Sequence, residues 1–169
     1  EAVFEDPNLK DKVTKETEAV LAADKAYASN TSTIPITLLA KSSARPENFI
    51  GIHFFSPVDR MPLVEIIVGE KTEDKAIAAA VDYTVAIGKV PIVVNDSRGF
   101  YTSRCFGTFV SEGMFLLEEG VPAAMIENIA KQKGMPVGPL AVHDEVTLTL
   151  SMHVYESDPT PNKLPSQER

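Results

Sequence analysis

The stretch KVPIVVNDSRGF, residues 89–100, separates two different patterns in the chain. On its N-terminal side, short apolar runs alternate with amphipathic helical periods; on its C-terminal side every apolar pattern has a helical period. KVPIVVN, residues 89–95, is rich in β-branched residues and reads as a strand, and from Asp96 onward only helices follow. This predicts an α/β unit followed by an all-α unit.

Working back from residue 89, Thr72 followed by Glu73 and Asp74 predicts a helix N-terminus, with the hydroxyl capping free amides and the acids complementing the macrodipole. Ala76, Ile77, Ala80, Val81, Thr84 and Val85 then recur at helical spacing until Gly88. PLVEIIV, residues 62–68, and Phe49 to Phe55 are two strands joined by a Pro-containing turn. ITLLAKSSARP gives a short helix and a loop closed at Pro46, and Ala26 to Ser29 is a further strand. Leu9, Val13, Val20 and Leu21 place one apolar face on a helix from Pro7 to about Lys25, and Glu1 to Phe4 ends a strand.

Working forward, Gly99 to Leu117 is expected to be helical, with Phe106, Phe109, Val110, Met114 and Leu117 as its stripe and Gly120 beyond its end. Pro122 suits the first turn of the next helix, which carries Met125, Ile126 and Ile129 and stops at Gly134. A third helix starts at Pro139 and extends to about Tyr155, before a Pro-rich tail. The expected domains are therefore 1–95, 96–155 and a tail at 156–169.

With 169 residues and 44% hydrophobic content the chain can build a core, and its net charge of -8 argues against nucleic-acid or anionic-membrane partners. The single Cys105 excludes an internal disulfide. No run approaches the ~18 apolar residues of a membrane span, and no signal peptide is visible, so the expectation is an intracellular, cytoplasmic protein, or a mitochondrial one in a eukaryote. The text opens without methionine on AVF flanked by acids, which reads as part of a longer chain.

Three polar residues could do chemistry: Ser32 in SNTST, His53 in GIHFF and Glu65 in LVEII. Glu65 is the most informative, because an acid inside PLVEIIV is costly to bury without a partner, and a histidine on a neighbouring strand would be one. A satisfied core histidine and a solvent-facing glutamate explain the same residues, so both readings stay open at this point. Ser32 lies in a run of turn formers, and a helix cap would account for it. A serine hydrolase lacks support because no G-x-S-x-G surrounds Ser32. No metal site is expected, since His53, His143 and His153 share no ligand spacing.

SNTS at 29–32, GIHFFSPV at 51–58, MPLVEII at 61–67, VPIVVND leading into RGF at 98–100, and MPVGPL at 135–140 together resemble the 3-hydroxyacyl-CoA dehydrogenase family, in particular the dehydrogenase part of multifunctional fatty-acid β-oxidation proteins. The resemblance implies the C-terminal part of a Rossmann-like NAD-binding domain followed by a helical dimerisation domain. It implies oxidation of the 3-hydroxyl of a 3-hydroxyacyl-CoA to a ketone, with NAD as cofactor. His53 would be the general base, Glu65 the carboxylate that orients it, and Ser32 a hydrogen-bond partner of the substrate oxygen. Glu5, Lys10 and Asn30 would lie on the cofactor. Implied partners are the acyl-CoA and a second copy of the chain, or the rest of a larger multifunctional protein.

Two departures accompany the resemblance. RGFYTSR puts Ser103 where many relatives carry a substrate-contacting asparagine, and no G-x-G-x-x-G turn occurs in the sequence. Without that turn the chain is expected to bind NAD weakly and to turn over little substrate by itself. A noncatalytic assembly module is the competing expectation, since the Phe106 to Leu117 stripe would also serve an interface.

Overall fold

In the computed structural model, residues 1–146 are described. The elements are α1 (Pro7–Glu18), β1 (Tyr27–Ser29), α2 (Ile36–Leu39), β2 (Phe49–Phe54), β3 (Leu63–Val68), α3 (Asp74–Ala86), β4 (Val90–Asn95), α4 (Thr102–Glu118), α5 (Ala123–Gln132) and α6 (Pro139–Val146). The chain divides into two compact units, Glu1–Arg104 and Cys105–Arg169. The expected continuation of the third helix to Tyr155 and the tail at 156–169 lie outside the described residues.

The first unit is built on a mixed sheet of order β1-β2-β3-β4. The pairs β1–β2 and β3–β4 are parallel, and β2–β3 is antiparallel. Side chains alternate between the faces of a strand, so Phe49, Gly51 and His53 share one face with Glu65 and Ile67, while Ile50, Ile52, Val64 and Ile66 share the other. The first face is covered by Ile36, Leu39 and Phe100, and the second packs on Ala80 of α3. Covering both faces explains why these strands read as near-continuous apolar runs, interrupted only where His53 and Glu65 stand opposite each other.

Gly51 makes room for this packing. A Cβ there would stand 2.8 Å from Ile36 Cδ1 and 2.9 Å from Ile67 Cβ, both inside contact distance. We expect Gly51→Ala to destabilise the protein by about 1–3 kcal/mol through overpacking, measured as a lower urea midpoint.

Several expectations change. The strand expected at Glu1 to Phe4 does not form; the Glu1 nitrogen donates to the Ala28 carbonyl and its own carbonyl accepts from Asn30 N at 2.9 Å. The first helix stops at Glu18 rather than near Lys25, because Val20 and Leu21 both donate to the Thr17 carbonyl in a tight turn that lets Leu21 reach the core. Its buried residues are Lys10 and Thr14, whereas Leu9 and Val20 are exposed. Thr72 does not cap α3; its hydroxyl donates to the Phe49 carbonyl at 2.6 Å and accepts from Gly69 N at 3.0 Å. Helix α4 begins at Thr102 rather than Gly99, since Gly99 and Phe100 have φ of +70° and +49°, outside the helical region.

That Gly99–Phe100 turn keeps the segment after β4 with the sheet. Phe100 is buried in the core cluster, and Asp96 accepts from Ile36 N at 2.9 Å and Thr37 N at 2.7 Å, capping α2. The boundary at Arg104 therefore falls nine residues after the change of sequence pattern at 95. In the second unit, α5 supplies Glu127, which accepts from Leu140 N at 2.9 Å and Ala141 N at 3.3 Å to cap α6.

Candidate active site

His53 and Glu65 are direct register partners across the antiparallel β2–β3 pair, and their side chains meet on the face covered by Phe100. His53 Nδ1 stands 3.0 Å from Glu65 Oε2. His53 is 6% exposed and Glu65 is fully buried. The imidazole is tilted against Phe55 with ring centroids 4.7 Å apart and stands edge-on to Phe100 at 5.9 Å. Two aromatic walls and a cross-strand acid thus hold one ring.

Glu65 is satisfied at every lone-pair position. Its Oε1 accepts from Tyr101 N at 2.8 Å and Thr102 N at 3.0 Å, and its Oε2 accepts from Thr102 Oγ1 at 2.7 Å as well as from His53. The two amides open α4, so the carboxylate also lies at the positive end of a helix dipole. Burial by itself would raise this carboxyl's pKa; the hydrogen bonds from His53, the Thr102 hydroxyl and the two amides outweigh it and hold Glu65 below the ordinary carboxylate value. An ionised carboxylate only accepts, so the proton of the neutral imidazole sits on Nδ1 and the lone pair is on Nε2. The arrangement commits Nδ1 to Glu65 and leaves the Nε2 lone pair outside that bond.

Glu5, Lys10, Asn30 and Ser32 gather near the ends of β1 and β2. Glu5 Oε1 accepts from Thr31 Oγ1 at 2.6 Å, from Ser32 N and Thr33 N at 3.0 Å, and from Thr33 Oγ1 at 3.2 Å. Burial would raise its pKa, but these bonds and the Lys10 charge hold it below the usual range. Glu5 thereby shapes the loop that carries Ser32, and Ser32 itself is exposed. Lys10 is 1% exposed; its ammonium bridges Glu1 at 3.1 Å and Glu5 at 3.4 Å and donates to the Val3 carbonyl at 3.3 Å. With its donors so engaged, Lys10 acts on its surroundings through Glu5. Asn30 Oδ1 accepts from Phe54 N at 2.9 Å, which ties the end of β1 to the end of β2 one residue beyond His53. Ser103 lies in the first turn of α4, half-buried, and its neighbour Thr102 is the residue that reaches Glu65.

Helix N-termini decide what anions the first unit can hold. The start of α1 is capped by Asp6, α2 by Asp96 and α4 by Glu65, and α3 follows Glu73 with Asp74 in its first turn. The starts of α1, α2 and α4 thus already meet a carboxylate, which disfavours a pyrophosphate at those three. Among the described residues, no group of three or more His, Cys, Asp and Glu could hold a metal ion. No described helix is long and apolar enough to cross a membrane. A cavity of about 580 Å³ lies on the opposite face of the sheet, lined in part by Ala28, Ile50, Ile52, Phe54 and Tyr83. His53 and Glu65 are not part of its lining.

Sequence reasoning had paired His53 with Glu65 but missed Tyr101, Thr102 and Phe100. The one available signal was the short aperiodic SRGFYT between strand and helix, because a hydroxyl residue at a helix start commonly enters a side-chain hydrogen bond.

Residues 1–97 match the family described as 3-hydroxyacyl-CoA dehydrogenase, NAD binding domain, and residues 99–167 match the 3-hydroxyacyl-CoA dehydrogenase C-terminal domain. The chain is 46% identical over 153 residues to the fatty acid oxidation complex subunit alpha of Psychrobacter cryohalolentis, covering 90% of this chain and 21% of that protein. It superimposes on the (S)-3-hydroxybutyryl-CoA dehydrogenase of Ralstonia eutropha with a TM-score of 0.88 and 34% identity, covering 98% of this chain and 62% of the other. For the 3-hydroxybutyryl-CoA dehydrogenase of Escherichia coli K12 the TM-score is 0.85 and the identity 30%, over 92% of this chain and 34% of that one. The chain thus spans about a fifth of the length of the curated relative, at 21%, and 62% of the Ralstonia eutropha enzyme.

Proposed function

The chain belongs to the 3-hydroxyacyl-CoA dehydrogenase family, and from that premise we propose that it contributes the acid–base half of an NAD-dependent enzyme that oxidises 3-hydroxyacyl-CoA to 3-ketoacyl-CoA in fatty-acid β-oxidation. The observation that carries this reading is the His53–Glu65 pair, in which a buried, ionised carboxylate leaves one imidazole nitrogen basic. In the oxidation, His53 Nε2 takes the proton of the 3-hydroxyl, and Glu65 stabilises the resulting imidazolium; in the reverse direction His53 returns that proton to the ketone oxygen. Ser32, exposed on the loop held by Glu5, donates a hydrogen bond to the substrate oxygen. Ser103, half-buried in the first turn of α4, is a second substrate contact.

The chemistry that NAD would supply here is hydride acceptance. Asn30 and Glu5, near the carboxyl ends of the parallel β1 and β2, fit the nicotinamide side, with Lys10 holding Glu5 in place. The starts of α1, α2 and α4 are already met by carboxylates, which disfavours the pyrophosphate there. The polypeptide of 169 residues alone therefore binds NAD weakly.

The half-exposed Phe106, Met114 and Leu117 of α4, each 40% accessible, favour a self-associating or interdomain surface in addition to catalysis, in a cytoplasmic protein. The test compares NADH oxidation with acetoacetyl-CoA by the full-length enzyme carrying this segment and by the isolated chain. We expect turnover in the first and little or none in the second. Absence of turnover in the full-length enzyme would leave the assembly role as the reading, and a normal rate in the isolated chain would refute the division of labour.

A further inference from the structure

Resting on the reading of His53 and Glu65 as the acid–base pair, we propose that Thr102 is a positioning residue, its hydroxyl fixing the Glu65 carboxylate in the plane that meets the imidazole. The terminal torsion of a glutamate is broad, so a carboxylate held at one oxygen still swings at the other. Here Oε1 is held by the amides of Tyr101 and Thr102, at 2.8 and 3.0 Å. Those bonds leave Oε2 to be placed by something else. The Thr102 hydroxyl does so at 2.7 Å, beside the 3.0 Å contact to His53 Nδ1. One residue therefore grips both oxygens, through its amide and through its side chain.

Helix capping does not account for this hydroxyl. Thr102 is the first residue of α4, and its Oγ1 donates to a carboxylate on a strand 37 residues earlier, whereas a cap would accept from an amide. The opening amides are met by Glu65 instead. The turn that aims the group is itself unusual, since Phe100 is a non-glycine residue at φ +49°, a conformation that persists only when its surroundings demand it. Phe100 is 1% exposed with its ring edge-on to His53, so the same turn places the aromatic wall and the hydroxyl. Valine has the same shape as threonine but would turn a methyl toward Oε2, leaving the His53 bond alone to orient it.

The experiment is steady-state reduction of acetoacetyl-CoA by NADH in the full-length enzyme carrying this segment, with Thr102→Val and Thr102→Ser. We expect Thr102→Val to lower kcat about tenfold, the size expected for one lost bond to a charged group, with KM for both substrates within about twofold of the parent. Thr102→Ser, which keeps the hydroxyl, is expected to restore most of the loss. An unchanged kcat in Thr102→Val, an equal loss in both variants, or a rise in KM that accounts for the whole effect would overturn the proposal. If Thr102→Val does not fold, Thr102→Ala replaces it: recovery by serine and not alanine supports the role, and equal kcat in the two refutes it. A parent without any turnover would count against the acid–base reading as well; an active parent indifferent to residue 102 would count against Thr102 alone.

Discussion

Replacing His53 by glutamine in the full-length enzyme is expected to lower kcat for acetoacetyl-CoA reduction about 10³-fold while leaving the affinity for NADH near its parent value. Glutamine keeps an amide that can donate to Glu65 Oε2 where His53 Nδ1 now stands at 3.0 Å, so the buried carboxylate retains its partner. What it lacks is a nitrogen that can take a proton near neutral pH. Steady-state kinetics with a far-UV circular dichroism spectrum checks the prediction. A variant that loses its fold, or one that keeps a normal kcat, would return His53 to the role of a core residue.

The largest effect on stability is expected from Glu65→Ala. It leaves four donors without their acceptor inside the protein: His53 Nδ1, the Thr102 hydroxyl, and the amides of Tyr101 and Thr102. Leaving a buried donor unsatisfied costs about 1–3 kcal/mol each, and a urea titration at neutral pH measures the combined loss. The sign of the pH dependence follows from the depressed carboxyl. In the unfolded chain Glu65 protonates at its ordinary carboxylate value, and in the folded protein only at lower pH. Its contribution is therefore full above the ordinary range and is lost as pH falls through the folded value. Glu65→Gln is expected to flatten this part of the acid limb; an unchanged acid limb would show that the network contributes nothing.

Much of this site was legible before any coordinates. The apolar runs around His53 and Glu65 identified two strands, and the cost of an unpartnered buried acid pointed from one to the other. What periodicity could not convey was the register, because a one-residue slip would have turned the two side chains to opposite faces. Lys10 shows a different limit. Its place on the first helix was visible, but its burial depends on two carboxylates, Glu1 and Glu5, that only the folded chain brings to its ammonium. A hydroxyl residue before acids predicts a cap at Thr72, yet its hydroxyl donates to the Phe49 carbonyl. Such outcomes depend on which distant group arrives, and local preference carries no information about that.

By itself the sequence determined the order of β1 to β4 and of α1 to α6, the change from α/β to α after β4, and the family, and it singled out a histidine and an acid as candidates for proton transfer. These follow from side-chain periodicity, from the cost of burying charge, and from motifs contiguous in the chain. The tertiary structure alone decided that His53 faces Glu65 in register, that Glu65 stays ionised, and that Thr102 holds its second oxygen. It also decided that the starts of α2 and α4 are met by the distant acids Asp96 and Glu65. Each of these is a hydrogen bond or a charge balance between groups distant in sequence, and its strength depends on distances that only the packed backbone sets.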